Sequence, residues 1–290
     1  MSRSGTVIKA LQDPNATAAH APVDGKTVVV EPSELDVTGA ASSGTSTASD
    51  MSKLMLMFLN KGTYNGKRVL KPETVDEIFK RSMVSKIDFA DLPPISDKTG
   101  FYYGLGVGSY DYAGHQIIEK GGALAGVRTT LVLVPDKQAG IVVLANLNLT
   151  AFPEAVRAFF LNQVLGIDPE ADQKEILARN GQLKKLMAPP QAPKNPGKFS
   201  GTLQSLVGVY ENDYYGRCEI VQDGDALKVQ WGPAKYAATL KHWSNGAFLM
   251  QFPGATQTAT DTTFMIGEDG TAESFTNDTF GIFTRVKEKK

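Results

Sequence analysis

Residues 117–136 read IIEKGGALAGVRTTLVLVPD, and residues 137–148 continue with KQAGIVVLANLN. Apolar runs separated by Gly or Pro-Asp turns predict the strands of an antiparallel meander. Val132–Val134 and Ile141–Leu144 are almost continuously apolar, which is typical of strands covered on both faces. Lys120 and the two glycines after it open onto this hairpin of buried strands. This stretch therefore predicts a sheet that carries the wall of an active site.

Size and composition exclude several classes of protein. A length of 290 residues predicts about two domains. The 30 basic and 31 acidic residues nearly cancel, so we expect no nucleic-acid partner. No apolar run approaches the roughly 18 residues that span a bilayer, and the start lacks the apolar core of a signal peptide. One cysteine and three scattered histidines, His20, His115 and His242, predict neither a metal site nor a bound cofactor.

The pattern on either side of the opening stretch indicates an α+β domain over residues 1–187. Met51, Leu54, Met55 and Phe58 recur at helical spacing after Thr47, a plausible helix cap. A second helix is expected over 72–79 and a third over 153–165, where it would cover one face of the sheet. Strand-like runs over 102–112, 115–122, 128–136 and 139–148 form the meander between them.

The remainder of the chain reads as a separate unit. Residues 188–202 are rich in Pro and Gly and predict a linker. Over 203–287, seven runs alternate apolar with polar residues between turn signals such as Asp223-Gly and Asn245-Gly. This pattern predicts a small antiparallel β-barrel of lipocalin-like form, or a sandwich.

Two stretches carry a resemblance to a known family: SSGTSTASDMSKLMLMFLNKGTYNGKRVLKPETV at 42–75 and YYGLGVGSYDYAGHQIIEKGGALAGVRTTLVLVPDKQAGIVVLANLN at 102–148. In this order, residues 1–170 resemble the C-terminal half of the serine β-lactamase-like hydrolases. These include class C β-lactamases, penicillin-binding D-alanyl-D-alanine peptidases and related esterases. The last 85 or so residues, beginning with LVGVYEN, resemble the small β-barrel domain often appended to such enzymes.

The resemblance implies a set of site residues. Lys120-Gly121-Gly122 matches the family's Lys/His-Thr/Gly-Gly motif on the strand that lines the active site. The lysine would attract a substrate carboxylate, and the glycines would let substrate backbone lie close to the strand. The Ala123 amide would be one oxyanion-hole donor, and His20 and Asp24 belong to a loop that would border the substrate cleft.

The resemblance also requires a Ser-x-x-Lys nucleophile and a Tyr-x-Asn element. No lysine of the sequence has serine three residues before it. Tyr210-Glu-Asn212 has the second form, but it falls in the predicted barrel. We therefore expect the chain to begin downstream of the catalytic serine and to be inactive alone. An esterase that uses Ser46 with His20 or His115 is a less favoured alternative.

These observations leave two functions open. The first is the C-terminal portion of a serine hydrolase that would act on a small-molecule or peptide substrate, such as a β-lactam, a D-amino-acid peptide or an ester. Relatives are commonly periplasmic or secreted, but the sequence does not identify the compartment. The second is a non-catalytic assembly module, which would use uncovered apolar surface at 132–134 and 141–144 to form a homo-oligomer or to complement a separate N-terminal half.

Overall fold

The computed structural model of the chain describes most of its residues, in two compact units, Met1–Leu186 and Met187–Lys290. The predicted linker begins outside the described residues, and Asp24 of the His20 loop also lies outside them. None of the helices within the described ranges is both long and apolar enough to cross a bilayer. The described ranges are 1–7, 13–23, 26–31, 39–85, 100–170, 193–233, 235–252 and 259–287.

The first unit is a mixture of helices and antiparallel strands. Its elements are β1 (Ala19–Val23), β2 (Lys26–Val30), α1 (Gly39–Ser42), α2 (Ala48–Leu59), β3 (Thr63–Tyr64), β4 (Lys67–Arg68), α3 (Pro72–Phe79), β5 (Met83–Ser85), β6 (Phe101–Tyr103), β7 (Gly108–Tyr112), β8 (His115–Leu124), β9 (Val127–Val134), β10 (Ala139–Ala145) and α4 (Phe152–Leu165).

Six of these strands form one sheet in the order β10-β9-β8-β7-β6-β5, with antiparallel pairing throughout. This confirms the predicted meander. The single run predicted at 102–112 forms two strands, because the chain turns where the Gly104 amide donates to the Val107 carbonyl at 2.9 Å. The long β8–β9 hairpin lies at the centre of the sheet, and it carries the Lys-Gly-Gly stretch.

Strand β9, which lies between β8 and β10, is covered on both faces from within the chain. Leu131 and Leu133 pack with side chains of α2 and α3, whereas Val132 and Val134 pack with β7 and α4. All four side chains are buried. The expectation that 132–134 is left uncovered is therefore wrong, because α2, α3 and α4 supply both covers.

Local interactions explain where helices and turns begin. The Asp50 amide donates to Thr47 Oγ1 at 3.2 Å, so Thr47 is the cap of α2, as its position predicts. Gly126, with φ of 78°, closes the β8–β9 hairpin. A Cβ there would lie 2.4 Å from the Ala19 side chain, and the Gly126 carbonyl accepts the His20 amide at 3.1 Å. Glycine is needed because β1 runs against the turn.

The second unit is a closed eight-stranded antiparallel barrel, which confirms the predicted barrel. Its interior is filled by large apolar side chains, including Tyr210, Phe248, Phe275 and Phe283. One strand, Ala272–Asn277, was not predicted. The strands are β11 (Gly208–Asn212), β12 (Gly216–Asp223), β13 (Ala226–Trp231), β14 (Tyr236–Ser244), β15 (Ala247–Gln251), β16 (Thr260–Ile266), β17 (Ala272–Asn277) and β18 (Gly281–Arg285).

Candidate active site

A cavity of about 450 Å³ opens in the first unit beside the Lys-Gly-Gly stretch. Its walls come from β5, β6, β8, β9 and α4, and they combine aromatic, glycine and charged residues. The lining residues are Met83, Ser85, Phe101, Tyr103, Glu119, Lys120, Gly121, Gly122, Ala123, Arg128, Thr129, Glu154 and Arg157.

The cavity lies where β8 continues beyond its neighbour β7. The pairing of β7 with β8 ends at Gly108 and Glu119, but the pairing of β9 with β8 continues to Leu124. Residues 120–124 therefore have a neighbouring strand on one side only within the described sheet. At the same point β8 changes from three buried residues, 117–119, to four exposed ones, 120–123.

Lys120 points its ammonium group toward β6. Its Nζ donates to Tyr103 Oη at 3.0 Å and lies 5.6 Å from the centre of the Tyr103 ring. No ion pair joins Lys120 to a carboxylate of the described residues. Its charge is therefore available to an anionic group that enters the cavity.

The residues after Lys120 differ in how much space surrounds them. A Cβ on Gly122 would lie 2.6 Å from Thr129 Oγ1, whereas the nearest atom to a Cβ on Gly121 would be the Thr129 carbonyl at 3.7 Å. Gly121, Gly122 and Ala123 are all exposed and line the cavity. A side chain at 122 would have to displace the Thr129 hydroxyl.

A buried charge network lies beneath this wall. The fully buried Arg157 of α4 donates through Nη1 to Glu119 Oε1. Glu119 also accepts Tyr110 Oη at 2.8 Å and Thr130 Oγ1 at 3.3 Å. Burial raises the pKa of Tyr110 well above its usual range, and the adjacent Glu119 charge adds to that shift. Side chains of β7, β9 and α4 thus hold Glu119, the residue before Lys120, in place.

A second ion pair joins the same two elements. Arg128 Nε donates to Glu154 Oε1 at 2.8 Å, with both side chains largely buried. Burial raises the pKa of Glu154 in spite of the attraction from Arg128. Glu154 Oε2 and the Nε and Nη2 atoms of Arg157 are buried without a hydrogen-bond partner among the described residues. Buried polar atoms are normally paired, so this end of the cavity is unusually polar for an interior.

His20 is not among the residues that line the cavity. Its Nδ1 lies 3.2 Å from both the carbonyl oxygen and the side-chain nitrogen of Asn146, and its backbone joins β1 to residue 148. The structure thus brings Lys120, Gly121, Gly122 and Ala123 together at one wall and does not bring His20 to it. A role for His20 at the cleft stays a prediction.

The other serine and histidine candidates have local partners. Ser46 Oγ hydrogen bonds with Ser4 Oγ at 2.8 Å, and His115 Nδ1 contacts the Asp136 carboxylate. No described contact joins Ser46 to either of its two histidine candidates. Within the described residues, no group of three or more His, Cys, Asp or Glu side chains is placed to hold a metal ion.

Tyr210 and Asn212 have roles in the barrel. Tyr210 Oη donates to the Leu206 carbonyl at 2.8 Å, and Asn212 donates to the Ile282 carbonyl at 2.7 Å. Tyr210 is fully buried. The Tyr-x-Asn form of this segment therefore serves the packing of the barrel.

Tyr103, Glu119 and Arg157 were not predicted as site residues. A signal for Arg157 is present in the sequence, since Glu154 and Arg157 stand three residues apart and are the only charged residues of this helix. Nothing in the sequence separates Tyr103 from the tyrosine before it.

An antiparallel sheet with helices on both faces and a Lys-Gly-Gly edge beside a cavity defines a β-lactamase-like fold. The chain belongs to the beta-lactamase family, whose model matches residues 2–165, more than half of its length. Residues 192–287 match a domain of unknown function, DUF3471. None of the curated proteins is a significant match.

Several solved structures are similar to this chain. An octameric penicillin-binding protein homologue from Pyrococcus abyssi is 16% identical, with 98% of this chain and 57% of that chain covered and a TM-score of 0.49. A penicillin-binding protein from Bacillus halodurans is 17% identical over 55% of this chain and 44% of that chain, with a TM-score of 0.39. The C-terminal domain of another penicillin-binding protein is 26% identical over 33% of this chain and 94% of that domain, with a TM-score of 0.28. The chain thus spans just over half the length of the first of these structures.

Proposed function

We propose that this chain is the C-terminal portion of a serine hydrolase that cleaves an amide, lactam or ester bond through an acyl-enzyme. The observation that carries this proposal is the exposed Lys120-Gly121-Gly122 edge of β8, which lines a cavity of about 450 Å³ in a chain of the beta-lactamase family. The fold alone would not identify a reaction, because function resides in the site.

The residues of this wall would bind the substrate and stabilise the reacting carbonyl. Lys120 would attract the substrate carboxylate, and the two glycines would admit the substrate backbone against the strand. The Ala123 amide would donate to the oxyanion. The attacking hydroxyl would come from a Ser-x-x-Lys segment, which this sequence does not contain.

Binding of benzylpenicillin tests the wall, since this probe carries both a lactam and a carboxylate. We expect Lys120→Met to weaken binding about tenfold or more, because a hydrogen bond to a charged group contributes roughly 1.5–3 kcal/mol. Lys137→Met is the matched control, since it removes a lysine from the turn between β9 and β10, which does not line the cavity. Equal affinities of the wild type and the Lys120 variant, measured by calorimetry or NMR titration, would contradict the proposal.

The same proposal makes a prediction about covalent chemistry. We expect no covalent adduct when the chain is incubated with benzylpenicillin or with a fluorophosphonate, as measured by intact-protein mass spectrometry. Ser46→Ala is the control, because any adduct that survives this change comes from a different hydroxyl. An adduct on the wild-type chain would mean that a nucleophile resides on it.

A second candidate function, assembly, is favoured by strand β10. It is one of the two edge strands of the described sheet, its sequence AGIVVLA contains no charge or proline, and Leu144 is 42% exposed. Charged residues or proline usually protect natural edge strands from pairing with another chain, and β10 has neither. A second copy or a separate N-terminal half would pair along β10. Sedimentation velocity on the wild type and on Leu144→Lys measures this, and a concentration-independent monomer would argue against it.

A further inference from the structure

The hydrogen bond between Lys120 and Tyr103 leaves the hydroxyl hydrogen of Tyr103 unused. A lysine ammonium only donates, so Tyr103 Oη is the acceptor in the 3.0 Å contact with Lys120 Nζ. The phenolic hydrogen then remains for another acceptor, and no described residue accepts it. Lys120 retains two further N–H groups. Both side chains line the same cavity, so two different donors stand side by side at its wall.

Both donors stand on ordered strands. Tyr103 ends β6 and pairs with Met83 on one side and with Gly108 on the other. Gly108 in turn pairs with Glu119, the residue before Lys120. The Tyr103 ring is half-buried. Groups held on strands keep their spacing better than groups on loops, which favours recognition of a ligand of fixed geometry.

The charges of the lining favour an anion. Three cations, Lys120, Arg128 and Arg157, line the cavity with two carboxylates, Glu119 and Glu154. Arg157 pairs with Glu119 and Arg128 pairs with Glu154, in both cases with little exposure to solvent. Lys120 is therefore the one cation of the lining that has no carboxylate partner among the described residues.

We propose that Tyr103 is a binding residue of this site, and that its hydroxyl and the Lys120 ammonium together hold a substrate carboxylate. Each carboxylate oxygen would accept from one of the two donors, which makes the pair specific for a planar group with two acceptor oxygens. This inference rests on the proposed function, and it adds a residue from a strand that the Lys-Gly-Gly motif does not include. A ligand whose carboxylate is esterified would lose the charge and the second oxygen contact.

The test compares benzylpenicillin with its methyl ester by NMR titration of the full chain labelled with ¹³C at its tyrosine rings. We expect Tyr103→Phe to weaken binding of the acid about tenfold and binding of the ester by a smaller factor. Tyr102→Phe is the matched control, because that ring stacks under the Arg81 guanidinium at 5.0 Å and does not line the cavity. In the wild type, the acid should shift the Tyr103 ring signal more than the ester does.

The possible outcomes distinguish a failure of this inference from a failure of the proposed function. If Lys120→Met weakens binding of the acid and Tyr103→Phe does not, the role of Tyr103 is refuted and the proposed function stands. If Tyr103→Phe weakens the acid and the ester equally, the ring acts by packing and the inference again fails. If the wild type does not distinguish acid from ester, or neither variant differs from it, both proposals are overturned. An unchanged amide spectrum confirms that each variant is folded.

Discussion

Replacing Arg157 by methionine should be among the most destabilising single changes in the first unit. Arg157 is fully buried and Glu119 is 6% exposed, and the guanidinium is the charged partner of that carboxylate. Methionine has a similar length and no charge, so the change breaks the pair and leaves Glu119 with Tyr110 and Thr130 as its donors. The free energy of unfolding should therefore fall because an uncompensated charge stays buried.

The magnitude follows from two opposing contributions. Breaking a buried ion pair by removing one partner costs about 3–5 kcal/mol. Methionine also removes the Nε and Nη2 atoms, which have no partner among the described residues, and an unsatisfied buried donor costs about 1–3 kcal/mol. We therefore expect the lower end, about 3 kcal/mol. In Glu119→Gln with Arg157→Met both charges are gone, and most of the lost stability should return.

Urea denaturation measures this effect with separate signals for the two units. Both tryptophans, Trp231 and Trp243, lie in the barrel unit, whereas all the described α-helices lie in the first unit. The transition in circular dichroism at 222 nm should move, and tryptophan fluorescence serves as the internal reference. Lys61→Met, which breaks an exposed pair with Asp76, should cost below about 1 kcal/mol. The reasoning would be refuted if Arg157→Met lost no more unfolding free energy than Lys61→Met does. It would also be refuted if the double variant were no more stable than Arg157→Met.

Three further predictions concern single sites. Burial raises the pKa of Cys218 to about 12, so the thiol should react with an aromatic disulfide at pH 8 only as fast as the barrel opens, as absorbance would record. Burial also raises the pKa of Glu154, so the wild type should lose stability relative to Glu154→Gln as pH rises above about 4.3. Urea denaturation at several pH values measures this difference in unfolding free energy, and a difference that stays constant with pH would contradict the prediction. Gly122→Ala should lower the melting temperature more than Gly121→Ala, because its Cβ would meet Thr129 Oγ1 at 2.6 Å. Adding Thr129→Ala should restore part of that loss.

The elements that the sequence predicts well are those whose pattern is local. Helix α2 follows from methionines at helical spacing and from its Thr47 cap, and the meander follows from its apolar runs and turns. Strand β17 was missed because Phe275 is its one large apolar residue. A shift in its register against β16, between Met265 and Ile266, also breaks its alternation of buried and exposed positions.

The residues of the candidate site differ in the same way in how far the sequence marks them. Lys120 and its glycines could be found because their residue types contrast with the apolar run around them. Tyr103 could not, since its role depends on a partner 17 residues away along the chain. The spacing of Glu154 and Arg157 marks Arg157 as unusual, but it does not identify Glu119, 38 residues away, as the partner of Arg157. Such pairings are set by the order of strands and by the packing of α4, which local patterns do not specify.

The unequal lengths of β7 and β8 account for the position of the wall. β7 has five residues and β8 has ten, and the pairing between them begins at the hairpin, so the second half of β8 extends past the end of β7. Glu119 is the last paired residue and faces the buried network, whereas Lys120 is the first residue beyond it and is exposed. A strand that is paired on both sides at 118–119 and buried at 117–119 can thus present glycines and a charge in its second half, because the core already fixes its direction. If β7 were two residues longer, its backbone would occupy the edge of β8 at which we propose that a substrate binds, and the Lys120–Tyr103 contact would be displaced with it.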